Sequence, residues 1–218
     1  MPIRFLKPIT VLAFLSLSAC ANVPGMYQDF ENSAKSAYPD AAIAFQSVKP
    51  SDTRKLSDPQ LVPLSKGDPI LLLDKEAQNK GYFKVVEFEI TQADTYEIRG
   101  ILDCRCFGKL SGKNVVVPRL FLKENATGKI TASHPGLLME YLNVWDGGYY
   151  YNGIEAALKP GKYSLIVAAD NATKGHGIYS YETYAVGASV GPIPMTISIS
   201  AAPDGNVKLL IEPKKKSS

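Results

Sequence analysis

From about Asp68 onward, apolar and polar residues alternate with a period of two in a series of short segments. This is the spacing of strands buried on one face. Ile70 to Leu73 is a short, continuously apolar run. In Tyr82 to Ile90, Val86, Phe88 and Ile90 face one way and Glu87 and Glu89 the other. In Tyr96 to Leu102, Tyr96, Ile98 and Leu102 alternate against Glu97, Arg99 and Ile101. Val115 to Leu122 is aliphatic and β-branched, and Pro118 within it predicts a sheet edge or a bulge. Tyr163, Leu165 and Val167 alternate with Lys162, Ser164 and Ile166; Met195, Ile197 and Ile199 with Thr196, Ser198 and Ser200; Val207, Leu209 and Ile211 with Lys208 and Glu212. Pro160-Gly161 and Pro203-Asp204-Gly205-Asn206 supply turn chemistry, and Gly187 to Pro194 reads as a Gly/Pro-rich loop. With no long helical stripe, the pattern predicts an all-β fold: an antiparallel β-sandwich, Ig-like or jelly-roll-like, with about eight or nine strands over residues 68–212.

Upstream of Asp68 the pattern is broken by Pro24, Pro39, Pro50, Pro59 and Pro63. Tyr27, Phe30, Ala34 and Ala37 fall near one face of a helix over Met26 to Tyr38, which Pro39 would stop. The rest of residues 20–67 reads as an irregular tether with at most that one short helix. Residues 213–218, with Lys214, Lys215 and Lys216, read as a basic disordered tail.

Composition narrows the function classes. A chain of 218 residues, 45% hydrophobic and 21% charged, suits one globular domain. The net charge of +3 is spread without a long basic stripe, so no nucleic-acid partner is expected. Two histidines and three cysteines leave little material for a metal cluster, and neither metal nor cofactor is expected.

The first nineteen residues have their own organisation. Arg4 and Lys7 precede the apolar run Ile9 to Leu17, and small residues Ser18 and Ala19 follow. These are the parts of a secretory signal, and the run is too short for the ~20 residues of a spanning helix. Leu17-Ser18-Ala19-Cys20 resembles the lipobox of bacterial lipoproteins. That resemblance implies cleavage after Ala19, acylation of Cys20 with palmitate-type chains, and membrane lipid as a partner. Ala21, in place of the Asp that retains lipoproteins in the inner membrane, implies the periplasmic side of the outer membrane. Loss of Arg4 and Lys7 would leave a mature charge of +1.

Cys104 and Cys106 are a candidate disulfide, because exported thiols tend to be oxidised. At i and i+2 in a straight strand their Cα atoms lie near the limit for a bridge, so a bend is required, and Gly108 allows one. Two free buried thiols are the alternative. His134 and His176 lie in loop-like sequence. No Gly-x-Ser-x-Gly, His-Glu-x-x-His or phosphate-cradling loop accompanies them, so an enzyme is not expected and no catalytic residue is assigned. The aromatic clusters are the candidate binding residues: Trp145, Tyr149, Tyr150 and Tyr151, with Tyr179 and Tyr181 second. In a strand Tyr149 and Tyr151 share one face and Tyr150 takes the other. Such rings with polar tips suit protein or sugar contacts, with core packing as the alternative. Asn125-Ala126-Thr127 and Asn171-Ala172-Thr173 match the glycosylation sequon, which carries almost no weight in a bacterial lipoprotein.

Val117-Pro118-Arg119-Leu120-Phe121-Leu122, then Leu158 to Val167 with its Pro-Gly-Lys-Tyr turn, then Gly191-Pro192-Ile193-Pro194 occur in that order. Through these segments the region from Lys66 to Glu212 resembles the periplasmic protein encoded in bacterial maltose operons, although the Ala/Pro-rich tail of that family is missing. The resemblance implies an exported, non-enzymatic β protein linked to sugar uptake and assigns no site residue. The expected function is therefore a lipid-anchored periplasmic binding or accessory module linked to carbohydrate transport, contacting an envelope protein or polysaccharide. A structural subunit of an envelope assembly, or an immunity lipoprotein that binds a toxin, are the alternatives.

Overall fold

The computed structural model describes residues 23–34, 36–102, 113–143, 147–174, 177–187 and 191–215. In chain order these hold helices α1 (Val23–Ser33) and α2 (Ala41–Ser47), then strands β1 (Asp52–Thr53), β2 (Gln60–Leu64), β3 (Ile70–Asp74), β4 (Asn79–Ile90), β5 (Asp94–Leu102), β6 (Lys113–Val115), β7 (Pro118–Glu124), β8 (Ile130–Ala132), β9 (Leu138–Asn143), β10 (Gly147–Leu158), β11 (Gly161–Ala169), β12 (Gly177–Gly187), β13 (Gly191–Ala201) and β14 (Gly205–Pro213). Sheet one runs β1-β4-β11-β7-β8, with β3 also on β4; sheet two runs β2-β14-β5-β10-β9; β12, β13 and β6 form a third, smaller sheet. Pairing is antiparallel except for β1 with β4 and β6 with β13. The fold is a β-sandwich, as the alternation predicts, with more strands than the eight or nine expected.

The core lies between sheets one and two. Val86, Phe88 and Ile90 of β4, Leu120 and Leu122 of β7, and Tyr163, Leu165 and Val167 of β11 meet Tyr96 and Ile98 of β5, Ile154 and Leu158 of β10, and Val207, Leu209 and Ile211 of β14. Phe88 stacks on Tyr163 with ring centroids 5.6 Å apart. The Tyr163 hydroxyl closes the Pro160-Gly161 turn: it accepts from the Lys159 N–H at 3.1 Å and donates to the Lys159 carbonyl at 2.9 Å.

The N-terminal region departs from the expected tether. It holds two helices, not one, and the first ends at Ser33, before Tyr38. Tyr27, Phe30 and Ala34 are buried as their helical spacing predicts. Phe30 meets Tyr82 edge-on at 4.9 Å, and Tyr27 donates to the buried Asn171 side chain at 3.1 Å. Tyr38 then pairs with Leu71 as an isolated bridge, and Asp40 caps α2 by accepting from the Ile43 N–H at 2.9 Å. Ala44, Tyr38, Phe45 and Val48 cover Phe83, Val85, Ile166 and Ala168 on the outer face of sheet one. β1 continues at the edge of β4, and β2 crosses to pair with β14 of sheet two. Apolar surface, not chain connectivity, explains this path. The outer face of sheet one is itself apolar and needs a cover, worth ~25 cal/mol for each Å² removed from water. Packing of the domain thus begins at α1, upstream of Asp68.

Pro118 opens β7 beyond Phe121–Lys123, the stretch that β8 pairs, so its missing N–H leaves no gap in that ladder, in keeping with the expected edge position. Two smaller expectations change. The Gly187 to Pro194 loop is shorter than read, because β13 starts at Gly191 and pairs Pro192 with Val186 and Pro194 with Tyr184. The basic tail begins later than Pro213. Pro213 belongs to β14, the Lys214 N–H donates to the Thr95 carbonyl at 2.8 Å, and the Lys214 ammonium pairs with Glu155 at 2.7 Å.

Candidate functional site

The outer face of sheet two carries a polar array with an aromatic centre. On β10 the outward positions are Tyr149, Tyr151, Gly153 and Glu155; on β5 they are Glu97, Arg99 and Ile101. Cross-strand register sets Glu97 directly opposite Glu155 on one side and Glu212 of β14 on the other. Three carboxylates in one rung repel, which calls for a compensating cation. Arg99, two residues along β5 and on the same face, supplies it. Its guanidinium pairs with Glu97, with Glu140 of β9 at 2.9 Å and with Glu212 at 3.7 Å. Lys214 neutralises Glu155 from the strand end.

Tyr149 completes the array. Arg99 donates to its hydroxyl at 2.9 Å, and that hydroxyl donates to Glu140 at 2.7 Å. The Arg99 guanidinium also lies 5.3 Å from the centroid of the Tyr151 ring, and the Tyr149 and Tyr151 rings are 5.9 Å apart. Burial of the phenol, reinforced by its hydrogen bond to Glu140, pushes the Tyr149 pKa up to about 12, against the opposing pull of Arg99. Burial alone would lower the Arg99 pKa, but the neighbouring Tyr149, Glu97 and Glu140 hold it raised. A group whose folded pKa is raised has its protonated form stabilised by folding, a contribution fully present below the unfolded value and lost as pH climbs through the folded value. Absorbance titration of tyrosinate should therefore show one phenol ionising late, near pH 12, and Tyr149→Phe should remove that late step; an unchanged titration would refute the assignment.

Beside the array lies an open groove of about 230 Å³ lined by Glu97, Arg99, His134, Leu138, Tyr151 and Glu155, among others. Leu138 is 58% exposed, a high value for a leucine at the groove wall. Asn152, buried on the opposite face of β10, donates to the carbonyls of His134 and Gly136, both at 2.7 Å, and so fixes the loop that brings His134 to the groove.

No family model matches the chain, and no curated protein matches it. Among solved structures it is similar to the pre-peptidase C-terminal domain of a collagenase from Bacillus anthracis, with 14% identity, 75% of this chain and 96% of that chain covered, and a TM-score of 0.35.

The sequence-predicted residues divide as follows. Tyr149 and Tyr151 share the outer face, as strand geometry requires, and meet Arg99 there. Tyr150 points the other way, beside a cleft of about 390 Å³ that Val117, Leu137 and Asp170 also line. Tyr179 and Tyr181 lie in register with Ile199 and Ile197 on β12 and β13, and their side chains lie outside the described residues. Trp145, His176, Cys104, Cys106 and the lipobox Cys20 also lie outside them. Asn171 of the second sequon is buried and bonded to Tyr27, Lys80 and Asn79. Arg99, Glu97, Glu140, Glu155, Leu138 and the groove-lining role of His134 were missed. The one readable signal for Arg99 was its same-face spacing from Glu97. Among the described residues no group of His, Cys, Asp and Glu is arranged to hold a metal ion, and no helix is long and apolar enough to cross a membrane.

Proposed function

We propose that this chain is a lipid-anchored, non-enzymatic binding module of the bacterial periplasm, held at the outer membrane through acylated Cys20, and that the outer face of sheet two takes a neutral, hydroxyl-rich polysaccharide segment. The observation that supports it is the pre-ordered Tyr149–Arg99–Glu97–Glu140 array beside an open groove with an aromatic ring and an exposed leucine. Carboxylates accept from sugar hydroxyls, a guanidinium donates to them, and Tyr151 and Leu138 present apolar surface to the C–H faces of a pyranose. The rung of glutamates disfavours anionic polymers by like-charge repulsion. The lipobox and the resemblance to the maltose-operon protein support the location and the sugar class.

Calorimetric titration of the full chain with linear glucans tests the reading. Saturable binding without hydrolysis is expected, and Tyr151→Ala with Leu138→Ser should weaken it by about tenfold or more while the circular dichroism stays β-rich. Binding that survives the double substitution moves the site off this face, and reducing ends released from the glucan would end the non-enzymatic reading.

A further inference from the structure

The shape of the N-terminal region fixes which end of the sandwich faces lipid. α1 lies across one end of the fold. Tyr27 bonds Asn171 just beyond β11, Ser33 lies 3.0 Å from the Tyr82 hydroxyl near the start of β4, and Glu31 pairs with Lys174 at 3.6 Å. Met26, Asp29 and Phe30 line a small cleft together with Lys66, Pro203 and Asp204, just ahead of β14. Lys80 donates to the Ala34 carbonyl at 3.4 Å. The starts of β4 and β14 and the end of β11 therefore all sit at the α1 end. The opposite end carries the end of β4, the Pro160-Gly161 turn, the Thr127 turn, and Lys214 tied to Thr95.

Only Ala21 and Asn22 separate Cys20 from Val23, the first residue of α1. Three peptide steps reach about 11 Å at most. β4 is 12 residues long, so the two ends of the sandwich stand about 35 Å apart at ~3.3 Å per residue. A leash of that length cannot exchange one end for the other.

We infer that the α1 end of the sandwich is a membrane-facing surface, apposed to the leaflet that holds the acyl chains. Lys214 lies at the far end, away from that leaflet, and the groove on sheet two stands between the two, its strands directed away from the bilayer. The inference rests on the lipid-anchor reading. It replaces a long flexible tether with an oriented domain, which presents the groove to material lying alongside the membrane surface.

The test uses the full acylated chain bound to phosphatidylcholine vesicles whose headgroups carry a nitroxide quencher. A genetically encoded fluorescent residue is placed at exposed Gln28 on α1 or at exposed Thr127 at the far end. Flotation with the vesicles, together with roughly twofold or greater quenching at Gln28 and almost none at Thr127, is expected from the ~35 Å separation. A flexible Gly-Ser linker inserted between Asn22 and Val23 should abolish the difference and leave flotation unchanged. Equal quenching at both positions in floating, linker-free protein overturns the orientation while sparing the anchor. Failure to float, with no radiolabelled palmitate incorporated, overturns the anchor and the orientation with it.

Discussion

Gly81→Ala is expected to cost about 3 kcal/mol or more of unfolding free energy, a large effect for one methyl group. Gly81 is buried in β4, where it pairs with Leu71. A Cβ built there runs into the carbonyl oxygen of Ala169, with the Ala169 carbonyl carbon at 2.8 Å. The obstacle is backbone at the end of a central strand, so no side-chain rotation relieves it. The chain beyond Ala169 would have to move, and it carries Asp170 and Asn171. Asn79 donates to Asp170 at 2.8 Å, the Asn171 N–H donates to Asn79 at 3.1 Å, and the Asn171 amide donates to the Lys80 carbonyl at 2.8 Å. Tyr27 is held by the same asparagine, so α1 should loosen together with the turn. The comparison variant is Gly128→Ala. There the methyl meets nothing within 4 Å, and only the positive φ of 74° is strained, at about 1 kcal/mol. Urea unfolding monitored by circular dichroism compares the two, with protease cleavage within α1 as a local readout. Similar midpoints for both variants would show that β4 and β11 approach less closely than described.

Whether the sequence could be read depended on how many sides of a residue were covered. In β4 and β5 the alternation of Val86, Phe88 and Ile90, or of Tyr96 and Ile98, was legible because their outward partners, Glu87, Glu89, Glu97 and Arg99, remain polar. In β11 the same rule failed on the outward side: Ile166 and Ala168 are buried because the segment around α2 lies over them. That segment was illegible for a related reason. α2 has seven residues, too few for a helical stripe, and of these only Ala44 is fully covered. β10 was hidden by its own composition, since Gly147, Gly148, Asn152 and Gly153 depress strand signals, while its buried Asn152 serves to hold the 134–136 loop. At the site, the shared face of Tyr149 and Tyr151 followed from a period of two. Their meeting with Arg99 did not, because Tyr149 lies 50 residues from it along the chain, as Glu140 lies 41 residues away. Only the sheet order β14-β5-β10-β9 brings them together.

Replacing Arg99 by methionine keeps a long apolar stem and removes the charge, which isolates the electrostatic role of the residue. The Arg99 side chain is only 15% exposed, and it is shared by Glu97, Glu140 and Glu212. Without it, Glu97 faces Glu155 and Glu212 across the strands with Lys214 alone remaining nearby, and the Tyr149 hydroxyl loses a donor. A loss of about 2–3 kcal/mol at neutral pH is expected, below the range for fully buried pairs because the carboxylates keep some solvent. The sign of its pH dependence follows from linkage. Acidification removes the carboxylate charges and with them the repulsion that Arg99 offsets, so the variant's deficit is complete at neutral pH and fades as pH falls toward the ordinary Glu value of about 4.3. Urea midpoints of the variant and the parent should therefore converge on acidification. Arg99→Lys should recover only part of the loss, since one ammonium cannot bridge Glu97 and Glu140 as a planar guanidinium does. A gap that stays constant from neutral pH to pH ~4 would assign the loss to the guanidinium's hydrogen bond to Tyr149 and its contact with the Tyr151 ring, and the array would then be scaffolding and not a charge-balanced binding face.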